Sequence, residues 1–156
     1  MPNYYGTKEV QAKPMTRGSY NDYRGWEIPA DETPLDEGYL VIYLDSPSDK
    51  TPSGFYESWS PKDVFEEAYR ETSGMPFGLA IEATKKGYCV ARKNWNGKGM
   101  WIWYCDVSEA EGKWGCSNGE IYNRIPYLYF KSADDCIVPW VASQTDILSD
   151  DWYIVE

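Results

Sequence analysis

The sequence predicts an α+β protein, a small antiparallel sheet with short helices preceded by a second small α+β segment. Three observations predict it. Short apolar runs bounded by Gly, Pro, Asn and Asp recur along the chain, which is how strands and their turns read. Between them lie a few short stretches of helical period with their own start and stop signals. And 156 residues that are 42% hydrophobic and 17% aromatic carry enough ring surface to bury a core, which excludes a disordered chain. Two segments, 1–74 and 75–156, meet at Thr72-Ser73-Gly74-Met75-Pro76.

In the first segment, Met1 to Asp36 is rich in Pro, Gly and Tyr without sustained periodicity, and is expected to wrap a core rather than build one. Gly38 to Leu44 (GYLVIYL) reads as a strand and Phe55 to Trp59 as its partner, with Ser46-Pro47-Ser48-Asp49 as turn chemistry between them. Ser60 as N-cap, Pro61 in the first turn and Asp63 three residues on start a helix. Val64, Phe65, Ala68 and Tyr69 form its inward face.

The second segment opens on a helix begun at Pro76, with the stripe Phe77, Ala80, Ile81 and Thr84 and a stop at Gly87. Tyr88 to Arg92 and Met100 to Asp106 read as strands, the turn between them containing Asn96-Gly97, a strong hairpin signal. Residues 107–125 read as a polar excursion. Pro126 to Lys131 and Cys136 to Trp140 form a second hairpin around Asp134-Asp135. Ser143-Gln144-Thr145-Asp146 reads as a capping box opening a short helix, and Trp152 to Val155 as a last strand. The strand Met100-Trp101-Ile102-Trp103-Tyr104-Cys105 is apolar on both faces, whereas one helix layer covers one face. Its second face must meet the N-terminal segment or another copy, and self-association is the expectation.

Composition narrows the function. With 15 basic and 25 acidic residues the net charge is −10, which argues against DNA, RNA or an anionic membrane as partner. No apolar run reaches the ~18 residues of a membrane span and no leader pattern opens the chain, so a cytoplasmic protein is expected. Cys89, Cys105, Cys116 and Cys136 lack zinc-knuckle spacing, and there is no histidine to complete a mixed site. Reduced, mostly buried thiols are expected, with no metal and no cofactor. Without histidine, Ser-His-Asp and Cys-His systems are excluded, and no motif calls for a catalytic carboxylate or lysine. No enzyme activity is expected.

Against the acidic background stands Lys85 to Gly99 (KKGYCVARKNWNGKG), with Lys85, Lys86, Arg92, Lys93 and Lys98 and no acidic residue. The glycines of Asn96-Gly97-Lys98-Gly99 let backbone N–H groups approach an anion, and Trp95 offers a flat face to a base. The pattern suggests a nucleotide-like ligand. On spacing alone, a solvated hairpin tip whose tryptophan belongs to the core is the favoured reading. Trp140 with Ser143, Gln144, Thr145 and Asp146 forms a second cluster, where a helix N-terminus could bind ribose hydroxyls and phosphate or be no more than a capped helix.

These blocks, with FGLAIEA at 77–83, VARKNWNGKGM at 90–100, WVASQTDIL at 140–148 and Asp151-Trp152, resemble the Thoeris anti-defence two family of small phage proteins over about residues 75–156. Residues 1–74 resemble an uncharacterised phage segment. The resemblance implies a sponge that captures cyclic nucleotide immune signals, notably glycocyclic ADP-ribose, without cleaving them, some members also taking cyclic dinucleotides of CBASS at another site. It implies homotetramers with pockets at subunit interfaces, acting in the cytoplasm of the infected host cell. Carried over by motif, Arg92, Trp95, Asn96, Lys98, Trp140, Ser143, Gln144, Thr145 and Asp146 line or border pockets. Trp95 or Trp140 would stack adenine, Arg92 and Lys98 face pyrophosphate, and Ser143 to Asp146 read ribose. Asn94 stands where a small residue, commonly glycine, is expected. Two rivals remain, an enzyme that degrades the signal with Asp146 or Glu82, and an acidic mimic that blocks a host factor.

Overall fold

The computed structural model describes residues 1–3, 6–106 and 125–155, and the chain divides into two compact units, Met1–Arg70 and Glu71–Glu156. The excursion read at 107–125, apart from Ile125, lies outside the described residues, as does Cys116. Among the described residues Cys89, Cys105 and Cys136 are free thiols, and Cys136 is exposed rather than buried as expected. No helix among these residues is long and apolar enough to cross a membrane.

The first unit is a three-stranded antiparallel sheet of β1 (Gln11–Pro14), β2 (Gly38–Pro47) and β3 (Phe55–Pro61), in that order. The first 36 residues do more than wrap it. They supply the edge strand β1 and a helix α1 (Arg17–Arg24). Polar helix ends explain α1 where periodicity does not. Thr16 accepts from the Ser19 amide at its start, and Gly25, in the left-handed region at φ 67°, closes its end. Its Tyr20 and Asn21 are buried although RGSYNDYR shows no apolar stripe.

The junction of α1 and sheet turns on one glycine. The Trp59 indole donates from Nε1 to the Met15 carbonyl at 2.8 Å, and its ring lies over Gly38. A Cβ on Gly38 would stand 2.5 Å from that ring and 2.4 Å from the Ser60 carbonyl. The second helix α2 (Lys62–Ala68) starts one residue later than read. β3 runs through Ser60, paired with Tyr39, to Pro61, which takes the cap position without a side-chain hydrogen bond. Ser60 is therefore a strand residue, because the sheet ladder claims it before the helix can. Phe65 stacks on Tyr39 (4.3 Å) and Tyr69 (4.8 Å), while Val64 and Ala68 stay exposed.

The second unit is a five-stranded, wholly antiparallel sheet of β4 (Val90–Arg92), β5 (Trp101–Cys105), β6 (Tyr127–Lys131), β7 (Ile137–Trp140) and β8 (Trp152–Ile154), in the order β7-β6-β5-β4-β8. Helix α3 (Phe77–Lys85) lies on one face, ended by Gly87 at φ 96°, and the four-residue α4 (Gln144–Ile147) precedes β8. Cross-strand partners share a face, so the register Val90, Ile102, Phe130 and Val138, with Ile154 and Trp152 from β8, defines the side toward α3. Ala80 and Ala83 of α3 meet Val90, Ile102 and Trp152 there, all three fully buried. On the opposite face Trp103 stacks on Tyr129, and Tyr127 donates to the Tyr129 hydroxyl.

The Asn96-Gly97 pair does not make a two-residue turn. β4 and β5 pair at Val90 and Ile102, leaving residues 93–100 as an eight-residue loop in which Gly99, at φ 69°, and not Gly97, takes the left-handed conformation. Gly38→Ala is expected to cost roughly 2 to 3 kcal/mol by forcing Trp59 off its seat. Amide exchange across β2 and β3 checks this, and wild-type protection in the variant would refute it.

Candidate ligand-binding site

Arg92 ends β4 and points to the α3 side of the sheet with Val90. There two carboxylates meet it. Its Nε donates to Asp151 Oδ1 at 2.9 Å and its Nη1 to Asp146 Oδ1 at 2.8 Å, with 9% of the side chain exposed. The charge belongs to Arg because a planar fork can serve two acceptors at fixed angles.

Asp146 is held from every side. The capping box read from sequence is present, with the Asp146 amide donating to Ser143 Oγ at 3.1 Å and the Ser143 amide to Asp146 Oδ2 at 3.0 Å. Ser143 Oγ donates to Oδ2 as well, at 2.7 Å, and Trp95 Nε1 reaches Oδ1 at 3.3 Å. The Asp146 carbonyl accepts from Trp152 Nε1 at 3.0 Å. Burial alone would raise this carboxyl, but the donors outweigh it and hold it at about 2. Burial works against Asp151 too, and its bonds from Arg92 and the Asn94 amide still leave it below the usual carboxylate range. Arg92 answers in kind. Burial opposes its charge, yet the two carboxylates raise its pKa above the ordinary value.

Trp95 does not stand free. Its ring meets Phe130 (5.3 Å), Trp152 (5.4 Å) and Trp140 (6.3 Å) in edge-to-face contacts, and it packs against the core cluster. Of the sequence-predicted site residues, the structure thus gathers Arg92, Trp95, Ser143 and Asp146 into one hydrogen-bonded hub, with Trp140 in ring contact beside it. Asn96, Lys98, Gln144 and Thr145 belong to no such network and are exposed on the 93–100 loop and on α4.

Two residues of this locus escaped the sequence reading. Asp151 Oδ2 accepts from the Asn94 amide at 3.0 Å, and its carbonyl accepts from the Lys93 amide at 3.1 Å. Asn94 needs no glycine-like conformation there, since its φ is not positive. Lys131 donates from Nζ to the Gly99 carbonyl at 3.0 Å and pairs with Asp135 at 2.6 Å. Asp151 sits in the quoted Asp-Trp pair, so its place beside the site was visible and its partner was not. No local signal marks Lys131. Among the described residues no group of three or more Cys, Asp or Glu side chains converges as a metal site.

The hub lies wholly within residues 75–155, and over that range the chain matches the Thoeris anti-defense 2-like domain. The chain belongs to this family. A protein named Thoeris anti-defense 2, from Bacillus phage SP01, is 39% identical over 84 residues, which cover 52% of this chain and 94% of that protein. In Thoeris anti-defense 2-like terms, the second unit is the family domain and residues 1–74 lie before the match. Membership makes this an anti-defence protein.

A carboxyl at about 2 in the folded state against 3.8 in the open chain adds stability that is fully present above pH 4 and lost as pH falls toward 2. The contribution is about 2 kcal/mol. Urea unfolding between pH 2 and 5 is expected to show this acid limb, and Asp146→Asn is expected to shrink it while lowering stability at pH 7. An unaltered limb in that variant would remove Asp146 as its source.

Proposed function

We propose that the chain is a sponge, which binds a cyclic nucleotide immune signal of the Thoeris type, glycocyclic ADP-ribose, and holds it without cleaving it. The observation that carries this reading is the saturated Asp146 carboxylate in a chain without histidine. A carboxyl at about 2 whose oxygens already accept four hydrogen bonds is a poor base toward water near neutral pH. Glu82, the other carboxylate weighed for hydrolysis, is engaged by Lys85 at 2.7 Å on α3. Such a frame suits tight holding rather than turnover.

The rim supplies the recognition chemistry. Asn96 and Gln144 bring amides, Thr145 a hydroxyl and Lys98 an ammonium. Arg92 is spent on two carboxylates, so in this reading the pyrophosphate charge falls to Lys98 and Lys93, which have no ion-pair partner among the described residues. Trp95 or Trp140, each half-buried, stacks adenine in this reading. The protein works as a homo-oligomer, a tetramer on the family pattern, in the host cytoplasm, with a second site for CBASS cyclic dinucleotides as part of the same proposal. To outcompete a receptor the affinity must be nanomolar, about −12 kcal/mol.

Capture and release tests it. Purified protein is mixed with glycocyclic ADP-riboses and cyclic dinucleotides, filtered and heated, and the released compounds are identified. Stoichiometric recovery of intact ligand is expected. Destruction of ligand by substoichiometric protein would establish an enzyme instead, and no retention would overturn nucleotide binding. Lys98→Ala and Thr145→Ala are each expected to weaken binding about tenfold in calorimetry while shifting stability by under ~0.5 kcal/mol, as exposed positions do. Unchanged affinity in both would place the pocket elsewhere.

A further inference from the structure

We propose that Asp151 and Lys131 are positioning residues that hold the 93–100 loop, before any ligand arrives, in the shape that receives it. The inference rests on the sequestration reading above. A loop containing Asn96-Gly97-Lys98-Gly99 is entropically costly to order, its glycines most of all. If binding had to order it, that cost would be subtracted from the affinity. The chain instead restrains the loop at three places.

At its root, Asp151 takes the Asn94 amide on Oδ2 (3.0 Å) and the Lys93 amide on its carbonyl (3.1 Å). Arg92 Nε fixes the other carboxylate oxygen at 2.9 Å, so the group cannot rotate away from the loop. At the far end Lys131 donates to the Gly99 carbonyl at 3.0 Å, and Asp135 holds the ammonium in place at 2.6 Å. In the middle, Gly97 lies so close to its neighbours that a Cβ would come within 2.7 Å of the Met100 sulfur and 3.0 Å of the Ala133 side chain. The loop is therefore packed down on the turn between β6 and β7.

Strand order explains why these two residues do it. The loop joins β4 to β5, and in the order β7-β6-β5-β4-β8 the strands flanking that pair are β6 and β8. Lys131 is the last residue of β6 and Asp151 immediately precedes β8. The end of one flanking strand and the entry to the other thus each contribute one polar side chain to the loop between them. Asn96 and Lys98, which lie between the restrained positions Asn94, Gly97 and Gly99, are residues the sponge reading places at the ligand.

The test uses the full chain and glycocyclic ADP-ribose as probe, with Asp151→Asn, Lys131→Met and Lys131→Arg. Hydrogen exchange in the free protein is expected to quicken at least tenfold at amides 94–99 in Asp151→Asn and Lys131→Met, with β4 and β5 unchanged. Calorimetry is expected to show about tenfold weaker binding in both, carried by a more unfavourable binding entropy, and Lys131→Arg is expected to restore both readouts. A general loss of stability would not single out the loop or respond to the arginine. Wild-type exchange at 94–99 in both variants, or faster exchange with unchanged affinity, overturns the proposal. Should Asp151→Asn not fold, the two Lys131 variants decide it. Failure of the wild-type protein to retain the probe overturns the sequestration reading and the ligand half of this inference, while the exchange data still decide whether the two residues hold the loop.

Discussion

A guanidinium between two carboxylates organises the second unit. Arg92, on a three-residue strand, reaches Asp146 on a four-residue helix and Asp151 at the entry to another three-residue strand. None of these elements is long enough to persist by itself. A mostly buried cation without a partner would be costly; one carboxylate neutralises it, and with two the cluster carries a net negative charge that the Ser143, Trp95 and Asn94 donors spread. The hydrogen bonds therefore form a closed circuit in which every buried charge meets a complementary group.

Around that circuit the tryptophans act as wedges with polar handles. Trp152 is fully buried with its N–H on the Asp146 carbonyl, and Trp95 is half-buried with its N–H on the Asp146 carboxylate. One residue thus answers both indoles, which fixes how the aromatic cluster sits against α4. The first unit uses the same device in a different place, where the Trp59 N–H on the Met15 carbonyl ties the start of α1 to β3.

What could be read from the sequence was what is local. The Ser143 to Asp146 capping box and the stop at Gly87 are each decided within four to ten residues, and each is found; of the α3 stripe Phe77, Ala80 and Thr84 face inward, while Ala83 rather than Ile81 completes it. The antiparallel α+β architecture was legible for the same reason, since strand runs and turns are short-range signals. α1 was missed because its burial comes from Tyr20 and Asn21 rather than an apolar stripe, though Thr16 and Gly25 marked its ends. Ser60 misled because strand pairing with Tyr39 outweighed a good capping pattern. The site was half legible. Residue types and order pointed to a loop and a helix that the structure joins in one hub, but that Arg92 is already neutralised and Trp95 already packed depends on partners more than fifty residues away, Asp151 and Asp146.

Those separations also govern when the site can come into being. The contacts of the hub span 54 residues from Arg92 to Asp146, 59 to Asp151 and 51 from Trp95 to Asp146. Any fragment that contains them all must run at least from Arg92 to Asp151, from the end of β4 to the residue before β8. Closing so long a loop is paid once, by pairing β4 with β8, and the polar hub can form only on that completed ladder. During synthesis, then, a growing chain lacks the hub until Asp151 and β8 have emerged, and a chain that fails to seat that strand presents loose loops rather than a half-formed hub.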